Sequence, residues 1–300
     1  MDYVELTADQ RGFFDANGYL IVPGALSAET IATITEAADA IMEHSEYEGY
    51  YQHCRAGLLQ SPVLTRLATN SPTLSLAIQI LGTHIHLTNT ALIYKHPQPR
   101  EQAQTGSGHS AVKPDTAPPP GKPTWHRDVG VHLDVGHVRL PRVGLKMAFC
   151  LTDMDGPNTG ATLFAPGSNL QPEPLLVPEG GVHPDNYVEP RLKAGDAYLF
   201  ESRTYHDAAI NISDRTAKIA MFGYHYIWVK PDHYLFFYDG EPQPSATVLE
   251  GIDDVGRQLL CAREDSMGRK DPNGIDWPIA EWCKRLGLSL PRAPQLKDTA

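Results

Sequence analysis

Val143-Gly144-Leu145-Lys146-Met147-Ala148-Phe149-Cys150-Leu151 is followed by Thr152-Asp153-Met154-Asp155-Gly156-Pro157-Asn158-Thr159-Gly160, then by Ala161-Thr162-Leu163-Phe164-Ala165 and Pro166-Gly167-Ser168. The two apolar runs have strand length, and each is closed by residues that favour turns: Asp-Gly-Pro-Asn after the first and Pro-Gly-Ser after the second. The pattern continues downstream. Ala194-Gly195-Asp196 precedes the strand-like Ala197–Glu201, and a longer apolar and aromatic run covers Ala217–Val229. Short strands at this density, separated by turns, predict an antiparallel sandwich or jelly roll.

Upstream the signals change to helices. Thr7-Ala8-Asp9-Gln10 has the form of a cap ahead of a short helix carrying Phe13 and Phe14. Gly18 to Gly24 reads as a short strand between breakers. Ser27 opens a second helix, Ala28 to about His44, with Ile31, Ile34, Ala38 and Ile41 at helical spacing. A third helical pattern runs over 61–80, broken near Asn70-Ser71-Pro72, and a strand follows over 84–94. The expected class is therefore mainly β with flanking helices, a helical layer at the N-terminal side and one domain over residues 1–300. Residues 97–123 are rich in Pro, Gly, Ser, Thr and Gln without apolar periodicity, and are expected to form a mobile loop bordering the active site. Helices are expected again at 253–263 and 279–286.

The totals narrow the function. With 300 residues, 41% apolar and 20% charged, the chain can bury a sizeable core. Its net charge of −11 is spread along the sequence without basic clusters, so nucleic acid is not an expected partner. No apolar run is long enough to span a membrane. The start, Met1-Asp2-Tyr3-Val4-Glu5, has no basic region leading into an apolar one, and the expected location is the cytoplasm. Cys54, Cys150, Cys261 and Cys283 are scattered, which argues against a disulfide framework or a structural zinc site.

The chemistry is carried by histidines and aspartates. Non-haem iron(II) oxygenases hold their metal with two histidines and a carboxylate on one face, leaving positions open for co-substrate and O2. On a strand, His-x-Asp turns both ligands the same way, because side chains alternate with period two. Three such triplets occur: His126-Arg127-Asp128, His132-Leu133-Asp134 and His183-Pro184-Asp185. The third lies among turn residues and the second lacks strand support. His126 and Asp128, preceded by Trp125 at the end of the long polar loop, are the preferred pair. The distal ligand is expected at His206, beyond the strand that ends near Glu201. Arg215, nine residues on, is a candidate cation for a dicarboxylate co-substrate, since a guanidinium offers two parallel charge-assisted hydrogen bonds.

These residues, in this order, resemble the phytanoyl-CoA dioxygenase family of 2-oxoglutarate oxygenases. The likeness extends to about residue 230. It includes the N-terminal helix and strand ending in Val22-Pro23-Gly24, the His126-Arg127-Asp128 triplet, Asn158-Thr159-Gly160-Ala161, Pro166-Gly167-Ser168 followed by Asn169 where the family usually has His, and His206 with Asn211 and Ser213. The resemblance implies a double-stranded β-helix, a cupin-like jelly roll. It also implies Fe(II) on His126, Asp128 and His206, with 2-oxoglutarate and O2 as co-substrates. Thr162 matches a position that often helps to bind 2-oxoglutarate. The family usually places its co-substrate arginine eleven or twelve residues beyond the distal histidine, where this chain has Ala217 and Lys218. Arg215 is preferred here for the distal carboxylate, with Lys218 as the alternative. The implied reaction is oxidation of a small organic molecule, such as a secondary metabolite, by hydroxylation, desaturation or rearrangement. Asp128 argues against halogenation, because related halogenases lack the carboxylate ligand. The alternative is a metal-dependent cupin-type enzyme without redox chemistry, such as an isomerase. Substrate identity and oligomeric state stay open.

Overall fold

A computed structural model describes residues 3–45, 49–100, 108, 123–128, 141–232, 235, 237–238, 240–261 and 278–288. The chain opens with α1 (Ala8–Asn17), whose first turn is held by a reciprocal capping box between Thr7 and Gln10. Gly18 ends the helix at φ 79°, the left-handed conformation that a C-cap favours. Strand β1 (Tyr19–Val22) leads to α2 (Ala28–Met42), capped by the Ser27 hydroxyl. Strand β2 (Tyr51–Cys54), the short α3 (Pro62–Thr65), a 3₁₀ turn and α4 (Ser71–Leu81) complete the helical layer. The break near Asn70 falls where the sequence places it.

The strands β3 (Ile85–Lys95), β4 (Gly144–Cys150), β5 (Thr162–Phe164), β6 (Ala197–Glu201), β7 (His206–Ala208) and β8 (Ala217–Tyr226) follow. Six strands form one antiparallel sheet in the order β1-β6-β4-β8-β3-β2, while β5 and β7 pair separately. From β4 to β8 consecutive strands alternate between the two sheets, as in the expected jelly roll, while β1, β2 and β3 extend the larger one. A small hairpin, β9 (Phe237–Tyr238) with β10 (Glu241–Pro242), and the helices α5 (Ala246–Glu250), α6 (Asp254–Leu259) and α7 (Pro278–Arg285) come last.

Period-two alternation gives the large sheet two apolar faces. Leu145, Met147 and Phe149 of β4, with Ala220, Phe222 and Tyr224 of β8, pack on the helices around Ile34, Leu74 and Ile78. Ala148 and Cys150, with Ala217 and Ile219, face the other way into a second cluster with Tyr19, Phe164, Tyr198 and Phe200. Burying one such large side chain contributes about 1.5–3 kcal/mol, so both faces are strongly fixed. The register of β4 and β8 is fixed with them, because a slip of one residue would exchange the faces. The pocket opens on the second face.

Most of 97–123 lies outside the described residues, as does the His132-Leu133-Asp134 triplet. Of the flanks, Gln98 donates its N–H to Asn211 O at 2.8 Å, which ties the end of β3 to the segment after β7.

Candidate metal centre

His126 and His206 are joined directly through their backbones. His126 N–H donates to His206 O at 3.1 Å and His206 N–H to His126 O at 3.0 Å, an isolated antiparallel bridge. Directly opposed residues project side chains to the same face, and the two imidazole centroids lie 4.3 Å apart. Asp128, two residues on from His126, shares its parity. One potential ligand atom from each of His126, Asp128 and His206 lies within 4.8 Å of the others. The three residues that the sequence groups as ligands are therefore together in space.

The local hydrogen bonds suit a metal. Nδ1 of His206 lies 3.0 Å from Thr204 O, and Nδ1 of His126 lies 3.0 Å from Thr124 O. A carbonyl can only accept, so each ring carries its proton on Nδ1 and its lone pair on Nε2, the tautomer a metal ligand needs. Oδ2 of Asp128 is buried without a hydrogen-bond partner, and lies 3.9 Å from His206 Nε2 and 3.8 Å from Lys146 Nζ. An unsatisfied buried carboxylate oxygen between two imidazoles is costly unless a cation sits there. The donor set, two nitrogens and one oxygen, fits a divalent iron.

Electrostatics point the same way. Burial pushes His206 down to about 4, helped by His126 and opposed by Asp128, so the ring is neutral at pH 7. Burial raises the Asp128 carboxyl, but Lys146, His206, His126 and His225 outweigh it and hold the group below the usual carboxylate range. Both groups stand in the protonation state that binds a metal.

Neighbouring elements hold the ligands in place. Arg127, the middle residue of the triplet, turns away from the centre, donates to Ser168 O and Gln171 O at 2.6 Å each, and lies 4.2 Å over the Tyr205 ring. The Ser168 hydroxyl accepts from Tyr205 N–H at 2.8 Å, so the Pro166-Gly167-Ser168 turn braces the segment entering β7. Phe200 packs against the His206 ring at 4.6 Å. The rival His183 stacks beside Trp125 and Tyr187, in a cluster that does not line the cavity around the metal centre.

That cavity has a volume of about 1120 Å³. Among the described residues, four cations line it, Arg55, Lys95, Lys146 and Lys230, against three carboxylates, Asp128, Asp207 and Asp232. In a chain of net charge −11 this local excess of positive groups favours an anionic ligand. Thr162 also lines the cavity, its hydroxyl 2.7 Å from the Tyr198 hydroxyl.

Arg215 and Lys218 do not line it, and this corrects the expectation for the anion clamp. Arg215 precedes β8, is half exposed, and is paired with Asp153 at 3.4 Å and Asp214 at 3.7 Å. The Asn211–Ser213 turn takes its carbonyl and directs the segment outward. Lys218 has the wrong strand parity. It points to the helical face, where Nζ donates to Asp39 of α2 at 2.6 and 2.8 Å. The aromatic run is divided likewise: Phe222 and Tyr224 are core, while His225 and Trp228 reach the cavity.

A family model described as phytanoyl-CoA dioxygenase (PhyH) matches residues 14–219. The chain belongs to the PhyH family. Solved structures with the same fold include the epimerase SnoN in complex with Fe3+, α-ketoglutarate and nogalamycin RO. It is 21% identical with a TM-score of 0.55, and the match covers 77% of this chain and 90% of SnoN. HygX from Streptomyces hygroscopicus, with nickel, 2-oxoglutarate and hygromycin B bound, is 16% identical with a TM-score of 0.56, over 75% of this chain and 89% of HygX. EctD from S. alaskensis, in its apoform, is 22% identical with a TM-score of 0.54, over 74% and 77%. A comparison with curated proteins returned no match. The family match spans the metal centre at His126, Asp128 and His206.

Residues outside the sequence motifs also shape this PhyH pocket. Lys146, on the cavity face of β4, donates to Asn89 Oδ1 at 2.6 Å. His225 is engaged at both nitrogens, by the Thr88 hydroxyl at 2.6 Å and the Ser202 hydroxyl at 3.1 Å. A register shift between Leu87 and Asn89 on β3 marks a bulge at Thr88, a common device for re-aiming side chains beside a site. The only sequence signal for these residues was polarity on an otherwise apolar strand.

Proposed function

We propose that this protein is an Fe(II)- and 2-oxoglutarate-dependent oxygenase that acts on a small organic molecule, as a single catalytic domain. The carrying observation is the His126–Asp128–His206 cluster, with both imidazole Nδ1 atoms committed to carbonyls and a buried Asp128 oxygen that has no hydrogen-bond partner. Membership of a dioxygenase family supports the same reading. So do SnoN and HygX, whose structures hold a metal and the 2-oxo acid.

In this reading His126, Asp128 and His206 hold Fe(II). The bound iron with 2-oxoglutarate and O2 supplies the oxidising power that the protein's own side chains lack. The chain's residues bind, orient and exclude. Asp128 contributes the negative charge that favours a dication, the Thr204 and Thr124 carbonyls keep the imidazoles in their ligating tautomer, and the cavity cations draw in an acidic co-substrate. The substrate is proposed to be a secondary metabolite, in line with nogalamycin RO and hygromycin B in the neighbouring structures. Hydroxylation is the simplest outcome, with desaturation or rearrangement as variants of the same oxidation. The cytoplasm is the proposed location.

A non-redox cupin-type isomerase would recruit further histidines. His225, the buried histidine nearest this role, has both ring nitrogens occupied by hydroxyls. The test is conversion of 2-oxoglutarate to succinate in the presence of Fe(II), O2 and a panel of small molecules. Succinate should form with wild-type protein and fall by at least about a hundredfold in Asp128→Ala, since losing a group that merely supports a metal ligand already costs about 10- to 100-fold. Turnover of a substrate without 2-oxoglutarate consumption would favour the isomerase.

A further inference from the structure

We infer that Lys95, at the end of β3, is the cation that receives the distal carboxylate of the 2-oxo acid, in place of an arginine on β8. The inference rests on the proposed use of 2-oxoglutarate. Lys95 is directly paired with Ala217 across the β3–β8 ladder. Ala217 stands where the family resemblance places the arginine, and its side chain is a methyl group facing the cavity side of the sheet. The cation missing from one strand is thus present at the register partner on the next. Small residues leave the room: a Cβ on Gly160 would come within 2.7 Å of the Ala217 Cβ and 3.5 Å of the Lys95 Cβ.

The surroundings of Lys95 are those of an anion site. Its side chain lines the cavity and the residue is 4% exposed. Nζ donates to Gly160 O at 2.6 Å and lies 3.3 Å from Ala161 O. Among the described residues no carboxylate forms a salt bridge with it. A buried ammonium that donates only to carbonyls, with the Asp207 and Glu189 carboxylates near but not paired to it, carries a charge only partly compensated, which a carboxylate in direct contact would neutralise. Burial pushes Lys95 down to about 8, partly offset by Asp207, Glu189 and Cys150, which leaves it mainly charged at neutral pH.

The spacing also fits. The Ala161 carbonyl that Nζ approaches precedes Thr162, which lines the same cavity. On the β5–β7 ladder Thr162 pairs with Ala208 and Phe164 with His206. Thr162 therefore lies two residues from the metal-ligand position, about 7 Å along the strand, the length of a short dicarboxylic acid. Lys95 and Thr162 would take one end of that acid while the metal centre takes the other.

Lys95 also has a structural role, tying the Gly160 turn to the sheet, and the test separates the two. Calorimetric titration of Mn(II)-loaded protein with 2-oxoglutarate and with 2-oxobutyrate, which lacks the distal carboxylate, reads the anion site without turnover. Wild-type protein should prefer 2-oxoglutarate by at least about tenfold, the worth of a charge-assisted hydrogen bond. Lys95→Gln keeps donors for the Gly160 carbonyl and removes the charge. It should weaken 2-oxoglutarate about 10- to 100-fold and leave 2-oxobutyrate and Mn(II) affinities unchanged. Lys95→Arg, which keeps the charge, should retain the preference. Equal wild-type affinities for the two acids, a preference that survives in Lys95→Gln, or a preference lost in a folded Lys95→Arg would overturn the inference while leaving the oxygenase reading in place. Binding of neither acid to Mn(II)-loaded wild type would overturn both.

Discussion

At the scale of single residues the centre depends on neutral histidines in a buried setting. His206 is held down to about 4 and His225 to about 3, in both cases by burial first, with His126 adding to the effect at His206 and Lys146 at His225. An unfolded histidine titrates near 6.5. Both folded values lie below the unfolded ones, so the stabilising contribution is complete above about pH 6.5. It falls as the pH drops towards 4, because the unfolded chain takes up the protons, at about 1.4 kcal/mol per pH unit for each histidine. The melting temperature of metal-free protein should fall steadily between pH 7 and pH 4.5, and His225→Gln should make that slope shallower, with His206, His53 and the other histidines held below their ordinary value supplying the rest. A melting temperature independent of pH over this range would show that these rings are not buried neutral. The metal ligands were legible in the sequence because His126, Asp128 and His206 each sit beside recognisable neighbours in a fixed order. Lys95 was not, because nothing local marks a lysine at the end of an apolar strand as facing a cavity.

At the scale of elements, cross-strand register decides which side chains meet, and register is not written in either strand alone. The strands β3, β4, β6 and β8 were readable from their apolar runs and the turns between them. The short β2 and β7 were not read as strands, since Tyr51–Cys54 and His206–Ala208 owe their extended form to partners far along the chain. Proximity in sequence made Arg215 attractive, nine residues past His206. The Asn211–Ser213 turn and the alternation of β8 carry Arg215 and Lys218 away from the cavity. Glycines report the same packing. Gly144 pairs with His225 across β4 and β8, and a methyl group there would collide with the His225 ring. Gly144→Ala should destabilise by about 1–3 kcal/mol, as overpacking does. Gly12→Ala, in open space within α1, should stabilise by about 0.5–1 kcal/mol. Chemical denaturation of the two variants checks the pair, and equal effects would contradict the packing described.

At the scale of the whole molecule, a large sheet with a helix-packed face and a cavity face brings together residues from β3, β4, β7 and β8 and from the His126 segment. Jelly-roll class and helical layer followed from the order of short strands after helices. The cavity's charge did not follow from composition, because a chain of net charge −11 turns Arg55, Lys95, Lys146 and Lys230 towards one site. Under the proposed function, iron and a 2-oxo acid meet at His126, Asp128 and His206. The most direct measurement is the visible absorption of the protein under anaerobic conditions after addition of Fe(II) and then 2-oxoglutarate. Wild-type protein should give a weak charge-transfer band that needs both additions and disappears in His126→Ala. A wild-type protein that gives no band, or a His126→Ala protein that keeps it, would contradict the account.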